Sequence, residues 1–294
     1  GSSKDGPPEN GIFPPGGADA ALAPTAPPKI EVINDGADPK VQLTLALVGD
    51  EQRSVINIGV RLGQSGLPDI DFGLLSKIDR PKDKKDKDAV GPLAVVTRVT
   101  SAEPDKELAA RLPKDLAETI AKLKGSEIRY TISPNGVMSG VSAVLAKDAD
   151  PKLDLAFRAL VDAFTLMSVP LPDKPVGAGG FWMVTDRASF FGADVVRYRV
   201  FRVQKIEKDK ATLAVDVRQY SAKDELDLGA LTGGNKLKLD RFESQGKSNV
   251  AWTSSALVPA GNDLSMKVVL VQAGQRGGAP LEIAAKTREP EKKK

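Results

Sequence analysis

Residues 171–182 constrain the fold most, because this stretch ends one structural element and begins another. Pro172 and Pro175 fix their backbone φ angles and lack N–H donors, so no helix continues through them. Three glycines follow and permit a tight corner. Phe181 and Trp182 then start a strand whose large rings require a core. The stretch predicts a structural corner that positions a tryptophan, with a ligand-binding loop as the alternative.

The chain of 294 residues contains no histidine and no cysteine. This composition excludes Ser-His-Asp and Cys-His nucleophiles, zinc sites built from Cys and His, and disulfides. The 42 basic and 39 acidic residues give a formal charge of +3, without the concentrated basic face of a nucleic-acid binder. No run of uncharged apolar residues is long enough to predict a membrane-spanning helix. We expect no enzymatic activity, no cofactor, no metal site and no nucleic-acid partner.

The first residues are rich in proline, glycine and alanine and carry little apolar surface. Because such a segment cannot offset the entropy of ordering, we predict a flexible tether over residues 1–39. One domain is predicted over residues 40–287, and a disordered tail over residues 288–294. A tether of this composition resembles the segment that follows the lipidated cysteine of bacterial lipoproteins. This likeness predicts a protein of the periplasm or outer membrane, attached to the membrane only through a lipid anchor preceding the given sequence.

Alternating apolar residues predict strands in the first half of the domain. A first hairpin is predicted from residues 41–47 and 56–62, and a second one around Asn135-Gly136. A third pattern indicates a strand at residues 93–100, whereas residues 63–81 allow no assignment. A helical stripe over residues 104–124 is cut by Pro113 into two short pieces. The mixed-charge run 82–88 predicts a solvated loop, with a cation-rich docking loop as the alternative.

The most apolar helix is predicted over residues 150–167, starting at Asp150-Pro151. The second half then carries almost only strand patterns, at residues 195–206, 211–219, 236–244, 248–258, 264–272 and 281–286. Helices among meandering strands predict an α+β fold, in which a long, curved, mostly antiparallel sheet forms a half-barrel around one or two helices. Two similar halves, about 40–148 and 170–287, would be joined by the helix.

A curved sheet closed by helices encloses space for an acyl chain or another hydrophobic ligand. The residues predicted to line this space are Phe157, Leu160, Phe164, Trp182, Tyr198 and Phe201. Arg197 and Arg199 share one strand face and predict a site for an anionic ligand or lipid headgroup. The alternative is an exposed face on which these arginines pair with cross-strand partners such as Asp216.

A short motif also resembles the signature of a bacterial family of secreted proteins of unknown function. The residues that carry it are Pro172, Pro175, Val176, Gly179 and Trp182, with Val196, Tyr198, Val200 and the Lys208-Asp209 turn downstream. The architecture that the resemblance implies is similar to the LolA and LolB lipoprotein carriers. Two functions are therefore expected: an envelope protein that binds a lipid or acyl chain in the sheet concavity, or a scaffold that docks an envelope partner through its sheet surface.

Overall fold

The computed structural model of the chain describes residues 6–81, 91–227 and 234–292, and strands dominate it. The strands are β1 (Lys29–Asn34), β2 (Glu51–Leu62), β3 (Ser65–Asp79), β4 (Leu93–Pro104), β5 (Glu127–Ile132), β6 (Met138–Val144), β7 (Phe181–Phe190), β8 (Ala193–Ile206), β9 (Lys210–Ser221), β10 (Glu225–Leu226), β11 (Leu237–Thr253), β12 (Asp263–Gln272) and β13 (Pro280–Arg288). The helices in these ranges are α1 (Gly17–Ala21), α2 (Lys106–Ala109), α3 (Lys114–Ala121) and α4 (Asp154–Leu166), and a 3₁₀ turn (Pro151–Leu153) leads into α4.

The strands form one open antiparallel sheet. Its order is β1-β7-β8-β9-β11-β12-β13-β2-β3-β4-β5-β6, and the short β10 pairs with β11. The two halves of the chain meet where β13 pairs with β2, from Leu281 opposite Leu62 to Arg288 opposite Val55. This arrangement leaves β1 and β6 as the two edges of the sheet.

The predicted α+β class is wrong, because the fold is mostly β. Strands account for 50% and helices for only 12% of the residues, so the sheet is not a LolA-like wrapping around helices. Two segments carry more strand than the sequence predicted. Residues without an assignment form the 15-residue β3, and two predicted strands are the single 17-residue β11. The antiparallel character of the sheet is confirmed.

The hairpin predicted from residues 41–47 and 56–62 is also wrong. Residues 41–47 form an extended connection, in which Val41 makes one isolated bridge to Val176 and Leu43 is buried. The partner of β2 is instead β3. The alternating apolar residues of this segment pack against the core from a connection that belongs to no strand pair. Such a pattern needs only a core to cover every second side chain, and it does not require a neighbouring strand.

The N-terminal segment packs on the domain from its first described residues, which differs from the predicted tether. Ile12 and Phe13 are buried, and the N–H of Phe13 donates to the carbonyl of Ser221 at 2.9 Å. Further along, β1 pairs with β7. The ordered domain therefore begins well before residue 40. The charged run at residues 82–88 lies outside the described residues.

Helix α4 and the following corner form the centre of the core. The predicted cap is found on the 3₁₀ turn that leads into α4, where the Asp150 carboxylate accepts from the N–H of Lys152. Its apolar face contacts β2 and β13, and the residues buried there include Leu160 and Phe164. After the corner, Trp182 stacks on Phe201 with ring centres 5.4 Å apart. Its indole N–H donates to the carbonyl of Pro170 at 2.9 Å, which fixes the corner to the end of the helix.

Candidate functional site

A cleft of about 1020 Å³ opens between α4, strand β6, the β7–β8 hairpin and residues 24–28. Strand β6 is one edge of the sheet, and residues 24–28 lead directly into β1, the other edge. The cleft therefore lies where the two ends of the open sheet approach the same helix. Its position follows from the topology, because α4 connects β6 to β7 and so crosses between these ends.

Two walls of the cleft are apolar. Val141, Ala143 and Leu145 line it from β6 and the residue after it, as expected for every second residue of a strand. Phe157 and Val161 line the opposite side, one turn apart on α4. Only part of this surface is covered by the protein itself, since Val141 is 39% exposed. The walls can therefore receive an apolar group of a ligand.

The charged residues that line the cleft include Asp162, Asp186, Arg197 and Arg199; we call these four the charged cluster. Both nitrogens of one edge of the Arg197 guanidinium donate to the Asp186 carboxylate, at 3.0 and 2.6 Å. Arg199 lies 3.5 Å from the same carboxylate and donates to the carbonyls of Leu166 and Ser168. Arg199 therefore contributes positive charge at the carbonyl end of α4, where the helix dipole favours it.

Burial perturbs the acid–base properties of the charged cluster. Burial, together with the nearby positive charge of Arg197, lowers the pKa of Arg199 to about 9, against the opposing effect of Asp186. Burial raises the pKa of Asp162 to about 7, although the N–H of Phe191 donates to its carboxylate at 2.9 Å. For Asp186 burial acts in the same direction, but the charges of Arg197 and Arg199 outweigh it and hold its pKa below the ordinary value.

Three members of the charged cluster, Asp162, Arg197 and Arg199, are buried, and one of the donors has no acceptor. The exposed fraction of Arg199 is only 1%, yet its Nε makes no hydrogen bond within the described residues. A buried guanidinium donor without an acceptor is unfavourable by about 1–3 kcal/mol. The hydrogen-bonding capacity of the charged cluster is therefore not fully used within the described residues.

Arg187 holds the N-terminal segment beside the cleft. One guanidinium nitrogen donates to the carboxylate of Asp19 at 3.0 Å and to the carbonyl of Leu22 at 2.7 Å. The other edge of the same guanidinium donates to Asp194 in β8. The contacts of Arg187 with Asp19 and Leu22 thus hold the chain immediately before residues 24–28 and fix the position of these residues at the rim of the cleft.

The structure brings only some of the predicted site residues together. Phe157, Arg197 and Arg199 line the cleft. Leu160, Trp182 and Phe201 are fully buried in the core, and Phe164 borders a separate crevice of about 40 Å³. Tyr198 lies on the other face of β8, where its ring meets that of Tyr220. The alternative of an exposed arginine face is not what the structure shows, since Arg197 and Arg199 are buried, whereas Asp216 lies 3.9 Å from Arg202 in an exposed pair.

Sequence reasoning missed Val141, Val161, Asp162 and Asp186 as lining residues. A signal existed for one of them. Asp162 is the only charged residue in the stretch 159–167, between Leu160 and Phe164 of the apolar helix face. An acid at such a position is either buried with a partner or part of a site. Val141 and Asp186 lie on strands, and the sequence does not tell which face of each strand is turned towards the cleft. Val161 was recognised on the apolar face of the helix, but not as a residue that lines a cleft.

Comparison with known proteins adds no family to this geometry. No family profile matches the chain, and the curated proteins include no significant match. None of the described helices is long and apolar enough to cross a membrane. Across the described ranges, no three acidic side chains come close enough to hold a metal ion.

Proposed function

We propose that the protein is a non-enzymatic binding protein of the bacterial cell envelope, and that its cleft takes an amphipathic molecule with an acyl chain and a polar head. One observation carries the proposal: an open cleft of about 1020 Å³ combines apolar walls with a buried charged cluster. This volume is at the upper end of the range of small-molecule sites. Such sites are mainly apolar, with a few polar groups that fix the orientation of the ligand.

The two chemical surfaces of the cleft suit the two parts of the ligand. The acyl chain would lie between the β6 wall, with Val141 and Leu145, and Val161 of α4. Each CH₂ removed from water contributes about 0.8 kcal/mol to binding. The polar head would lie towards Arg199, whose Nε lacks an acceptor within the described residues.

A scaffold function is the second candidate, and a different observation favours it. Leu160, Trp182 and Phe201, all predicted to contact a ligand, are each 0% exposed and fill the interior behind α4. A scaffold would use the outer surface of the sheet to dock an envelope partner and would leave the cleft without a specific ligand.

Titration of hexadecanoate below its micelle concentration, followed by calorimetry, tests the proposal. Val141→Asp places a charge on the apolar wall, whereas Val144→Asp places the same charge on the same strand outside the cleft lining. We expect saturable binding to the wild type, binding at least roughly tenfold weaker in V141D, and unchanged binding in V144D. No saturable binding to the wild type, or equal losses in the two variants, would contradict the proposal and favour the scaffold.

A further inference from the structure

Strand β6 is an uncharged sheet edge. Residues 134–146, which contain it, include no Asp, Glu, Lys or Arg, in a chain with 28% charged residues. All residues of β6 after Met138 are exposed, including Val141 and Val144. Edge strands of natural sheets usually carry charges or proline, which prevent pairing with another chain. Neither of these protections occurs within β6.

The backbone of β6 is available on one side. The strand pairs with β5, and no strand of the described residues pairs with its other side. A register shift between β5 and β6, at Gly140 and Val141, leaves residues 142–144 as the continuous part of this edge after it. Unpaired N–H and C=O groups along such an edge form the hydrogen bonds of an added strand.

The other edge of the sheet is protected. Strand β1 carries Lys29 and Glu31, which form an ion pair at 3.3 Å, and it ends at Asn34. Charges of this kind disfavour pairing with a second strand. Of the two edges, only β6 is therefore suited to extend the sheet.

We infer that β6 pairs antiparallel with β6 of a second copy of this chain, so that the two sheets join across a two-fold axis. The absence of charge is what selects a second copy as the occupant. In symmetric antiparallel pairing only the side chains next to the two-fold axis face their own counterparts, so a charged residue there would face a like charge. A different protein partner would gain attraction and specificity from charges on this edge, and β6 offers none.

Both faces of the joined sheet gain apolar contacts in this arrangement. Val144 is 52% exposed and lies outside the cleft lining, whereas Val141 lines the cleft. Antiparallel pairing would cover part of each residue with a neighbouring strand. Since the dimer needs only the edge of β6, it stands independently of ligand binding in the cleft.

Sedimentation equilibrium across the micromolar range tests this inference. The wild type is expected to form dimers, and Val144→Asp is expected to weaken the dimer by at least roughly tenfold, because each copy then brings a negative charge to the newly paired edge. The matched control is Ile33→Asp on β1, which changes an apolar side chain of 58% exposure on the other edge and is expected to leave the dimer unchanged. A monomeric wild type, or equal effects of the two substitutions, would overturn the inference.

Hydrogen exchange gives a second test, which uses only the wild-type protein and therefore does not require a substituted variant to fold. The amides of residues 138–144 are expected to exchange more slowly as the wild-type concentration rises, whereas those of residues 29–34 keep their rates. Exchange at β6 that is independent of concentration would contradict pairing. The hexadecanoate titration distinguishes the dimer from the ligand site. The V144D variant is expected to lose dimerisation but to bind hexadecanoate as the wild type does.

Discussion

The Asp186 carboxylate accepts two hydrogen bonds from Arg197 in the buried part of the cleft and lies 3.5 Å from Arg199. Asp186 is on β7, and the two arginines are on β8. Because Arg199 also binds the carbonyls at the end of α4, this one carboxylate connects the hairpin to the helix. The side chain that shapes the polar part of the cleft therefore also stabilises the fold.

Replacing Asp186 is expected to destabilise the protein strongly. Asp186→Asn keeps the size of the side chain but leaves two buried guanidinium groups without a counter-charge. Removal of one partner of a buried pair lowers the free energy of unfolding by about 3–5 kcal/mol. The control Asp216→Asn, in an exposed pair with Arg202, is expected to lower it by less than about 1 kcal/mol. Urea denaturation measures both values, and equal losses would show that the buried pair has no special role.

The stability of the protein is expected to depend on Asp162 between pH 4 and 7. Burial raises the pKa of Asp162 from 3.8 to about 7, so in this window the folded state holds a proton that the unfolded chain has released. The contribution of Asp162 to the free energy of unfolding is therefore present at low pH and falls as the pH rises, by at most about 1.4 kcal/mol per pH unit.

Asp162→Asn is expected to remove this contribution while it keeps an acceptor for the N–H of Phe191. Urea denaturation at several pH values gives the difference between wild type and D162N. The wild type is expected to lose stability relative to the variant as the pH rises towards 7. Parallel pH profiles would show that Asp162 does not hold a proton in the folded state.

The tip of the β5–β6 hairpin is expected to require glycine for two reasons. Gly136 has a φ angle of +76°, and a Cβ there would lie 2.2 Å from the carbonyl oxygen of Val169. Gly140 has a φ of +62° but open space around it. Gly140→Ala is therefore expected to cost only the backbone strain, about 1–2 kcal/mol, and Gly136→Ala roughly 1–3 kcal/mol more. Thermal denaturation compares them, and similar losses would indicate that the hairpin tip moves freely away from Val169.

Trp182 is expected to contribute more to stability than the other tryptophan. Trp182→Phe leaves the carbonyl of Pro170 without its indole donor and reduces the ring that stacks on Phe201. The expected loss is about 2–4 kcal/mol. Trp252→Phe removes a similar volume beside the small crevice and is expected to cost less. Urea denaturation tests this ranking, and the reverse order would contradict the role assigned to the corner.

Local signals in the sequence predicted the elements that depend on nearby residues. The Asn135-Gly136 turn indicated the β5–β6 hairpin, which is confirmed. Asp150-Pro151 indicated a helix start, and it begins the 3₁₀ turn that leads into α4. The pairing of β13 with β2 joins residues from opposite ends of the domain. No local pattern specifies such a pairing, because it depends on which edges remain free once the hairpins have formed.

Two errors show where a local signal has more than one physical cause. Residues 236–244 and 248–258 were predicted as two strands, but Gly246 between them lies within β11, where a Cβ would meet the sulfur of Met266 at 1.9 Å. The glycine thus serves close packing and not a turn. Arg197 and Arg199 were correctly placed on one strand face, yet their burial was missed, because β8 carries apolar residues on both faces. The polar part of the cleft could not be predicted for the same reason, because the sequence does not show which face of β8 is turned inwards.

Native mass spectrometry of the protein purified from membrane-containing bacterial cells tests the central claim most directly. The wild type is expected to retain a co-purified amphipathic molecule, Val141→Asp to lose it, and Val144→Asp to keep it. A wild type that carries only its own polypeptide mass, and that also fails to bind added hexadecanoate, would contradict the assignment of the cleft as a ligand site.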